Sequence, residues 1–194
     1  MPSALNKRGT IIVISAPSGT GKTSIVKKLL EEISGLVFSV SATTRKKREN
    51  EKNGIDYFFL TEKEFREKID NDEFVEWEKV YDYYYGTFKR FIEENINGGK
   101  SVVLEVDVNG ALSIKKIYPD AKLIYVIPPS HEELIKRLKN RNTEDDAGIQ
   151  KRLERAIMEL SIKDKFDYFV LNENLNKAIS DTKGLINKIL KEKS

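Results

Sequence analysis

The segment SAPSGTGKTS (residues 15–24) constrains the fold of this chain more than any other, because it directly follows the apolar run TIIVI. Gly19 and Gly21 stand where a tight loop turns its backbone N–H groups toward an anion, and Lys22 adds a positive charge. A strand, a glycine-rich loop and a helix in this order predict a phosphate-binding loop. Its expected phosphate-contacting residues are Ala16, Pro17, Ser18, Gly19, Thr20, Gly21, Lys22, Thr23 and Ser24.

The first position of the loop departs from the usual motif, which begins with glycine where this chain has Ala16. A small residue suffices there if the backbone angles are ordinary, so we expect the loop to be intact. The alternative interpretation is an ordinary strand–turn–helix connection that contains a Gly-Lys pair by chance. The loop alone names no substrate, because motors, GTPases, transporters and kinases all contain it.

Composition excludes several classes of protein. The 34 basic and 31 acidic residues leave a net charge of +3, which gives little support to non-specific nucleic-acid binding. Cysteine is absent, so disulfides and thiolate metal sites are excluded. No apolar run approaches the roughly 20 residues of a membrane span, and the N-terminal MPSALNKRG lacks the apolar part of a secretory signal. We therefore expect a cytoplasmic protein with no membrane or nucleic-acid partner.

Short apolar runs alternate along the chain with segments whose apolar residues recur at helical spacing. Strands are predicted at residues 10–14, 36–40, 55–60, 74–81, 101–106, 122–127 and 168–171. Helices are predicted at residues 24–33, 61–69, 87–98, 109–117, 130–138, 146–165 and 175–191. This alternation predicts an α/β fold with a parallel sheet core flanked by helices.

From SVSATTRKKRENEKNGIDYFF (residues 39–59) onward, the sequence resembles guanylate kinases. FVEWEKVYDYYYGT, LEVDVNG, VIPPSHEELIKRLKNRNTE and VLNENL follow in the order of that family. The resemblance implies transfer of the γ-phosphate of ATP to GMP in guanine nucleotide metabolism, with Mg²⁺ as cofactor and ATP as co-substrate. It also implies the P-loop nucleoside-monophosphate kinase fold, with a GMP-binding lobe and a lid.

The resemblance divides the chain into three parts. Residues 1–41, 98–134 and 166–194 would form the P-loop core, residues 42–97 the GMP-binding lobe, and residues 135–165 the lid region with its adjoining helix. Residues 139–148 are charged and almost without large apolar side chains. We therefore expect this segment to close over ATP.

The GMP site implied by the resemblance combines phosphate and base contacts. Its residues are Ser41, Arg45, Arg48, Tyr57, Glu76, Tyr85, Thr87 and Asp107. The arginines and tyrosines would donate hydrogen bonds to the monophosphate. Guanine presents N1–H and an amino group, both donors, so two ionised carboxylates, Glu76 and Asp107, suit that edge. By composition alone, the basic run that begins at Arg45 is also typical of a solvated loop.

The resemblance places the catalytic cations at the transferred phosphoryl group. These are Lys22, Arg137, Arg152 and, from the lid, Arg141. Asn172 would lie beside the adenine. Thr23 would ligate Mg²⁺, and Glu105, where the family commonly has aspartate, would reach it through water. The spacing of Arg137 and Arg141 is also typical of surface ion pairs on a helix.

Two departures concern the GMP loop. Lys47 stands where the family often has proline, and Asn50 where it often has glycine, so we expect a less rigid loop. Two other functions are compatible with the core pattern: a kinase for another nucleotide or small metabolite, and a peptide-binding scaffold domain. Scaffold domains of this kind typically have a degraded phosphate loop. The sequence does not indicate an oligomeric state.

Overall fold

The computed structural model describes residues 8–139 and 146–192. The strands are β1 (Ile11–Ser15), β2 (Leu36–Ser39), β3 (Ala42–Thr43), β4 (Phe58–Phe59), β5 (Phe74–Val80), β6 (Tyr83–Phe88), β7 (Ser101–Glu105), β8 (Lys122–Ile127) and β9 (Tyr168–Leu171). The helices are α1 (Lys22–Glu32), α2 (Glu62–Asp70), α3 (Lys89–Asn97), α4 (Val108–Ile117), α5 (His131–Lys139), α6 (Asp146–Ser161) and α7 (Leu175–Glu192). A short 3₁₀ turn follows α6 at Lys163–Lys165.

The core is a five-stranded sheet in the order β2-β7-β1-β8-β9, and all of its strand pairs are parallel. β1 lies at its centre and is buried along its whole length. Such strands are apolar on both faces because helices cover both faces of a parallel sheet. The predicted parallel sheet flanked by helices is confirmed.

Alternate residues of β1 supply two separate clusters of the core. Ile11 and Val13 face the cluster that contains Ile92 and Ile96 of α3 and part of α4. Ile12 and Ile14 face the cluster formed with α1 and α7. This alternation follows from the twofold period of a strand. It fixes the register of β1 and so the place where the phosphate-binding loop begins.

A second, smaller sheet has the order β4-β3-β6-β5. β5 and β6 form an antiparallel hairpin, and α2 covers the sheet by packing Phe65 against Phe74 and Tyr84. Thr61 and Glu64 form the predicted capping box at the start of α2. The hairpin presents Glu76 and Glu78 on one face, because they are two residues apart in a strand.

Several predicted elements were wrong in extent or missing. The predicted strand 55–60 is reduced to Phe58–Phe59, because Gly54, with φ 76°, forms a turn closed by its own N–H to Tyr57 O. The helix expected from residue 87 begins at Lys89, since Thr87 pairs within the hairpin. The helix expected to reach residue 165 ends at Ser161. Strands β3 and β6 were not predicted.

The carboxyl ends of β1 and β7 lie side by side, because the two strands are parallel neighbours in register. The phosphate-binding loop follows β1, and Glu105 and Asp107 mark the end of β7. Ligands of parallel α/β sheets bind at this edge. In the part of the chain that the structure describes, no helix has both the length and the apolar character needed to cross a membrane.

Candidate active site

The phosphate-binding loop turns at its two central glycines. Gly19 and Gly21 have φ 90° and 89°, which residues with a side chain rarely adopt. A Cβ on Gly21 would also lie 2.7 Å from Nδ2 of Asn172. That amide donates to Thr20 O at 2.6 Å, and Thr20 in turn bonds Pro17 O through its N–H and its hydroxyl. The loop is therefore held in its curved form from within and from Asn172.

Ala16 is buried and keeps ordinary backbone angles. Among the described residues, the non-glycine positions with positive φ are Asp72 and Tyr81. Ala16 belongs to the core cluster beneath α1, where it is 3% exposed. A methyl group is therefore accommodated at the first loop position, as expected. Asn50 also lies outside the left-handed region, so the turn from Arg48 to Glu51 forms without glycine there.

Lys22 and Thr23 begin α1 and both reach the end of β7. The Lys22 ammonium donates to Val106 O at 3.0 Å, and the Thr23 hydroxyl donates to Glu105 Oε1 at 2.6 Å. These contacts join the two loops at the carboxyl edge of the sheet. As a result, the Lys22 ammonium and two oxygen-bearing side chains that could ligate a metal ion, Thr23 and Glu105, lie beside the phosphate-binding loop.

The predicted monophosphate residues lie in the small sheet and its loop, where Arg45 contacts Tyr57 and Tyr57 contacts Tyr85. The Arg45 guanidinium lies over the Tyr57 ring, 5.5 Å from its centroid, and Tyr57 packs edge-on against Tyr85. Glu51 holds Arg45 through two hydrogen bonds of 2.7 and 3.1 Å and accepts the Arg48 N–H at 2.8 Å. The Arg48 side chain is exposed. Glu51 thus holds in place the loop that carries Arg45 and Arg48. Its carboxylate lies close to where the monophosphate is predicted to bind.

Burial raises the pKa of Tyr57, and the charge of Glu105 contributes to that rise. Glu105 therefore lies near the tyrosine as well as near Thr23. The charge of Glu105 therefore acts both on the predicted monophosphate site and on the phosphate-binding loop. Ser41 lies just before β3, where its carbonyl accepts Phe58 N–H at 2.9 Å and holds β4 in place.

Glu76 and Asp107 converge above Gly110. A Cβ on Gly110 would lie 3.0 Å from Glu76 Oε2 and 3.3 Å from Asp107 Oδ1, so both carboxylates approach the helix where it lacks a side chain. Thr87, which is fully buried, donates its hydroxyl to Glu76 Oε1 at 2.5 Å. Asp107 caps α4 by accepting Gly110 N–H at 2.8 Å.

The two carboxyl groups differ in protonation. Burial, with a further contribution from Asp107, raises the pKa of Glu76 to about 7, although the Thr87 hydroxyl opposes this rise. The expectation of two ionised carboxylates stays a prediction for Glu76, because its burial and the nearby charge of Asp107 favour the protonated form in the ligand-free protein.

The pKa of Asp107 moves in the opposite direction. Burial alone would raise it, but hydrogen bonds from Glu78 and Gly110 N–H and the charges of Arg155 and Lys22 outweigh burial. Burial and Asp107 raise the pKa of Glu78 to about 7, so Glu78 is the more readily protonated member of this pair. Asp107 is therefore the ionised acceptor of the cluster.

The structure describes the positions of some of the predicted lid cations but not of all of them. Arg137 on α5 donates to Asn172 O at 3.2 Å and to Glu133 at 2.9 Å, which links α5 to the residue that supports the phosphate-binding loop. Arg152 lies on α6. Arg141 lies outside the described residues, as do positions 140–145 of the predicted lid segment.

Five residues that sequence reasoning did not assign belong to this site: Glu51, Glu78, Gly110, Arg155 and Glu159. The i, i+4 spacing of Arg155 and Glu159 indicates a helical ion pair, which is present at 2.8 Å. Nothing in the spacing indicates that Arg155 also reaches Asp107, 48 positions away. Gly110 is the last residue of the LEVDVNG segment, but its close approach to Glu76 is a tertiary contact that the segment does not indicate.

Comparisons with known proteins agree on one family. The family model described as guanylate kinase matches residues 8–189. The chain is 51% identical to a guanylate kinase of Thermotoga maritima, over 89% of this chain and 83% of the relative. It is 45% identical to a guanylate kinase of Caldanaerobacter subterraneus subsp. tengcongensis, over 94% of this chain and 89% of the relative.

A solved structure supports the same assignment. The crystal structure of guanylate kinase from Anaplasma phagocytophilum aligns with a TM-score of 0.81 and 30% identity, covering 95% of this chain and 87% of that chain. The match of the family model spans nearly the whole sequence, and the chain belongs to the guanylate kinase family.

Proposed function

We propose that this protein transfers the γ-phosphoryl group of ATP to GMP, giving ADP and GDP. The observation that carries the proposal is the position of Glu105. It accepts a hydrogen bond from Thr23 of the phosphate-binding loop, and its charge contributes to the raised pKa of Tyr57, which lies beneath Arg45. An ATP held by the loop and a monophosphate held by Arg45 and Tyr57 would bring their phosphates together there.

The residues that we propose for each substrate combine this geometry with the roles implied by the resemblance to guanylate kinases. The phosphate-binding loop and Lys22 hold the ATP phosphates, and Asn172 supports the loop beside the adenine. Arg45, Arg48, Tyr57 and Tyr85 hold the monophosphate. Glu76, Asp107, Thr87 and Ser41 form the guanine site. Arg137, Arg152 and Arg141 supply the remaining positive charge when the lid region closes.

The oxygen donors at Thr23 and Glu105 fit a magnesium ion. Mg²⁺ prefers hydroxyl, carboxylate, water and phosphate oxygens and is held in kinases by few protein ligands. No group of three acidic, histidine or cysteine side chains within residues 8–139 and 146–192 is arranged to hold a metal ion. When bound, the ion would neutralise charge on the phosphates.

The direct test is ATP consumption with purified protein and alternative acceptors. GMP, AMP, dTMP and no acceptor are compared at equal concentration with Mg²⁺ present, and the product is identified by chromatography. We expect GDP to form with GMP and little turnover in the other arms. Turnover with another acceptor and none with GMP would overturn the proposed substrate.

Arg48 provides the cleaner test of the monophosphate pocket, because its side chain is exposed and Arg45 is engaged by Glu51. Arg48→Ala removes a charged donor to the phosphate, so we expect the KM for GMP to rise roughly tenfold or more while the KM for ATP stays within about twofold. Lys47→Ala, in the same exposed loop, is the control and should leave both values unchanged. An increase confined to the KM for ATP would contradict this division of the two sites.

The raised pKa of Glu76 predicts that GMP use depends on pH. An ionised Glu76 only accepts hydrogen bonds, as the guanine donors require, and the protonated form, which also donates, gains population as the pH falls through about 7. We therefore expect kcat/KM for GMP to fall about fivefold between pH 7 and pH 6. Glu76→Gln has no carboxyl group at this position and reports the titration of the GMP phosphate and of other groups. A wild-type profile parallel to that of Glu76→Gln would contradict the assignment.

A further inference from the structure

Arg155 belongs to neither proposed set of nucleotide contacts, yet its guanidinium contacts the carboxylates of the guanine site. Its Nη2 donates to Asp107 Oδ2 at 2.6 Å and lies 3.7 Å from Glu78 Oε1. Its Nε donates to Glu159 Oε1 at 2.8 Å. One side chain thus joins α6 to the cap of α4 and to β5 of the small sheet.

The surroundings fix the orientation of this guanidinium. Glu159 is 6% exposed and holds Nε from one turn along the same helix. The Tyr81 ring lies 5.8 Å from Cζ. Charge-assisted hydrogen bonds in a partly dry environment are stronger than those at the surface. The contact with Asp107 therefore differs from the exposed ion pairs of the helices.

Arg155 also determines how Asp107 is presented. Gly110 N–H holds Oδ1 and Arg155 holds Oδ2, so both ends of the carboxylate are fixed. Each carboxylate oxygen accepts more than one hydrogen bond, which leaves lone pairs for a ligand. With either contact removed, the carboxylate is free to rotate about its bond to Cβ.

The charge balance points the same way. Glu76, Glu78 and Asp107 face one small region. Asn109 donates to Glu78 Oε1 at 2.9 Å but carries no charge. Of the cations in the described residues, Arg155 makes direct contact with Asp107 and Glu78. Like charges this close oppose one another unless a cation lies between them.

We propose that Arg155 is a positioning residue for guanine recognition: it holds the Asp107 carboxylate toward the base and offsets the charge of the neighbouring carboxylates. The proposal rests on the proposed GMP kinase activity. It identifies a specificity determinant on α6, the helix that also carries Arg152. The guanine site is therefore completed by a residue of α6.

Steady-state kinetics of Arg155→Met, with GMP, IMP and ATP as varied substrates, tests the proposal. We expect the KM for GMP to rise roughly tenfold or more, while kcat and the KM for ATP stay within about twofold. IMP lacks the amino group of guanine and so makes fewer hydrogen bonds to the carboxylates, which means that the variant should weaken its use less. The preference for GMP over IMP should therefore fall. Arg90→Met removes an i, i+4 Arg–Glu pair of the same Nε geometry, formed with Glu94 on the exposed face of α3, and should behave as wild type.

Arg155→Lys covers the case in which Arg155→Met does not fold. A lysine keeps the charge but engages one carboxylate at a time, so we expect a severalfold rise in the KM for GMP and a smaller loss of the preference over IMP. A wild-type KM for GMP and a wild-type preference in either variant would overturn the proposal. So would a parallel rise in the KM for GMP and ATP with a lower kcat, which indicates general disruption. Wild-type protein that phosphorylates another acceptor but not GMP would instead overturn the proposed function.

Discussion

Lys22→Ala is expected to lower kcat at least ~100-fold, with the protein still folded. The ammonium lies at the start of α1 and is held by Val106 O, between the phosphate-binding loop and the end of β7. Phosphoryl transfer relies on cations that are already oriented toward the developing charge, and one such contact is worth about 3 kcal/mol or more. The loss should therefore appear in kcat at saturating ATP and GMP.

Lys28→Ala is the matched control for this change. Lys28 lies on the same helix, is exposed and pairs with Glu31 on the surface, so its removal should leave kcat unchanged. Circular dichroism and thermal melting of both variants separate loss of catalysis from loss of fold. Undiminished turnover in Lys22→Ala would remove the phosphate-binding loop from the mechanism.

The sequence was most informative where local patterning and buried structure agree. The apolar run 10–14, the two loop glycines and the helix after them form one local unit, and the structure places them as predicted. The parallel core followed for the same reason, because its strands are short apolar runs separated by amphipathic helices.

The small sheet was harder to predict because its strands depend on one another. β3 and β4 have two residues each and exist only as partners, and β6 contains Gly86, which weakens any strand prediction. A Cβ at Gly86 would lie 2.9 Å from the Phe65 ring, so that glycine serves packing between the sheet and α2.

The protonation of Glu76 also depends on the tertiary structure. In sequence it occupies an alternating strand, where a polar residue usually faces water. Its raised pKa results from burial and from Asp107, 31 positions further along the chain. Likewise, the roles proposed for Glu51 and Arg155 rest on contacts that no local pattern predicts.

At pH 8, where Glu76 is mostly ionised, we expect GMP to be used at least ~10⁴-fold more efficiently than AMP. Guanine offers N1–H and an amino group to Glu76 and Asp107, whereas adenine turns the N1 lone pair toward the same acceptors. Acceptor would face acceptor in a partly buried pocket and leave a charge unpaired. Sites built for a particular polar edge reject analogues by factors of this size. Comparable kcat/KM values for GMP and AMP would contradict the carboxylate account.

Glu76→Gln tests which property of Glu76 carries this selectivity. Glutamine keeps the shape, loses the charge and adds an amide donor, so we expect binding of GMP to weaken by about 1.5–3 kcal/mol. The same donor suits adenine N1, so AMP should lose less than GMP and the preference should narrow.

Protonation of Glu76 should narrow the preference for GMP over AMP in the same way as Glu76→Gln, because a carboxylic acid also donates a hydrogen bond. The wild-type ratio of kcat/KM for GMP and AMP should therefore fall as the pH drops from 8 to 6, and the phosphate titration shared by both nucleotides cancels in that ratio. A ratio that is constant with pH and unchanged in Glu76→Gln would show that selectivity is determined elsewhere in the site.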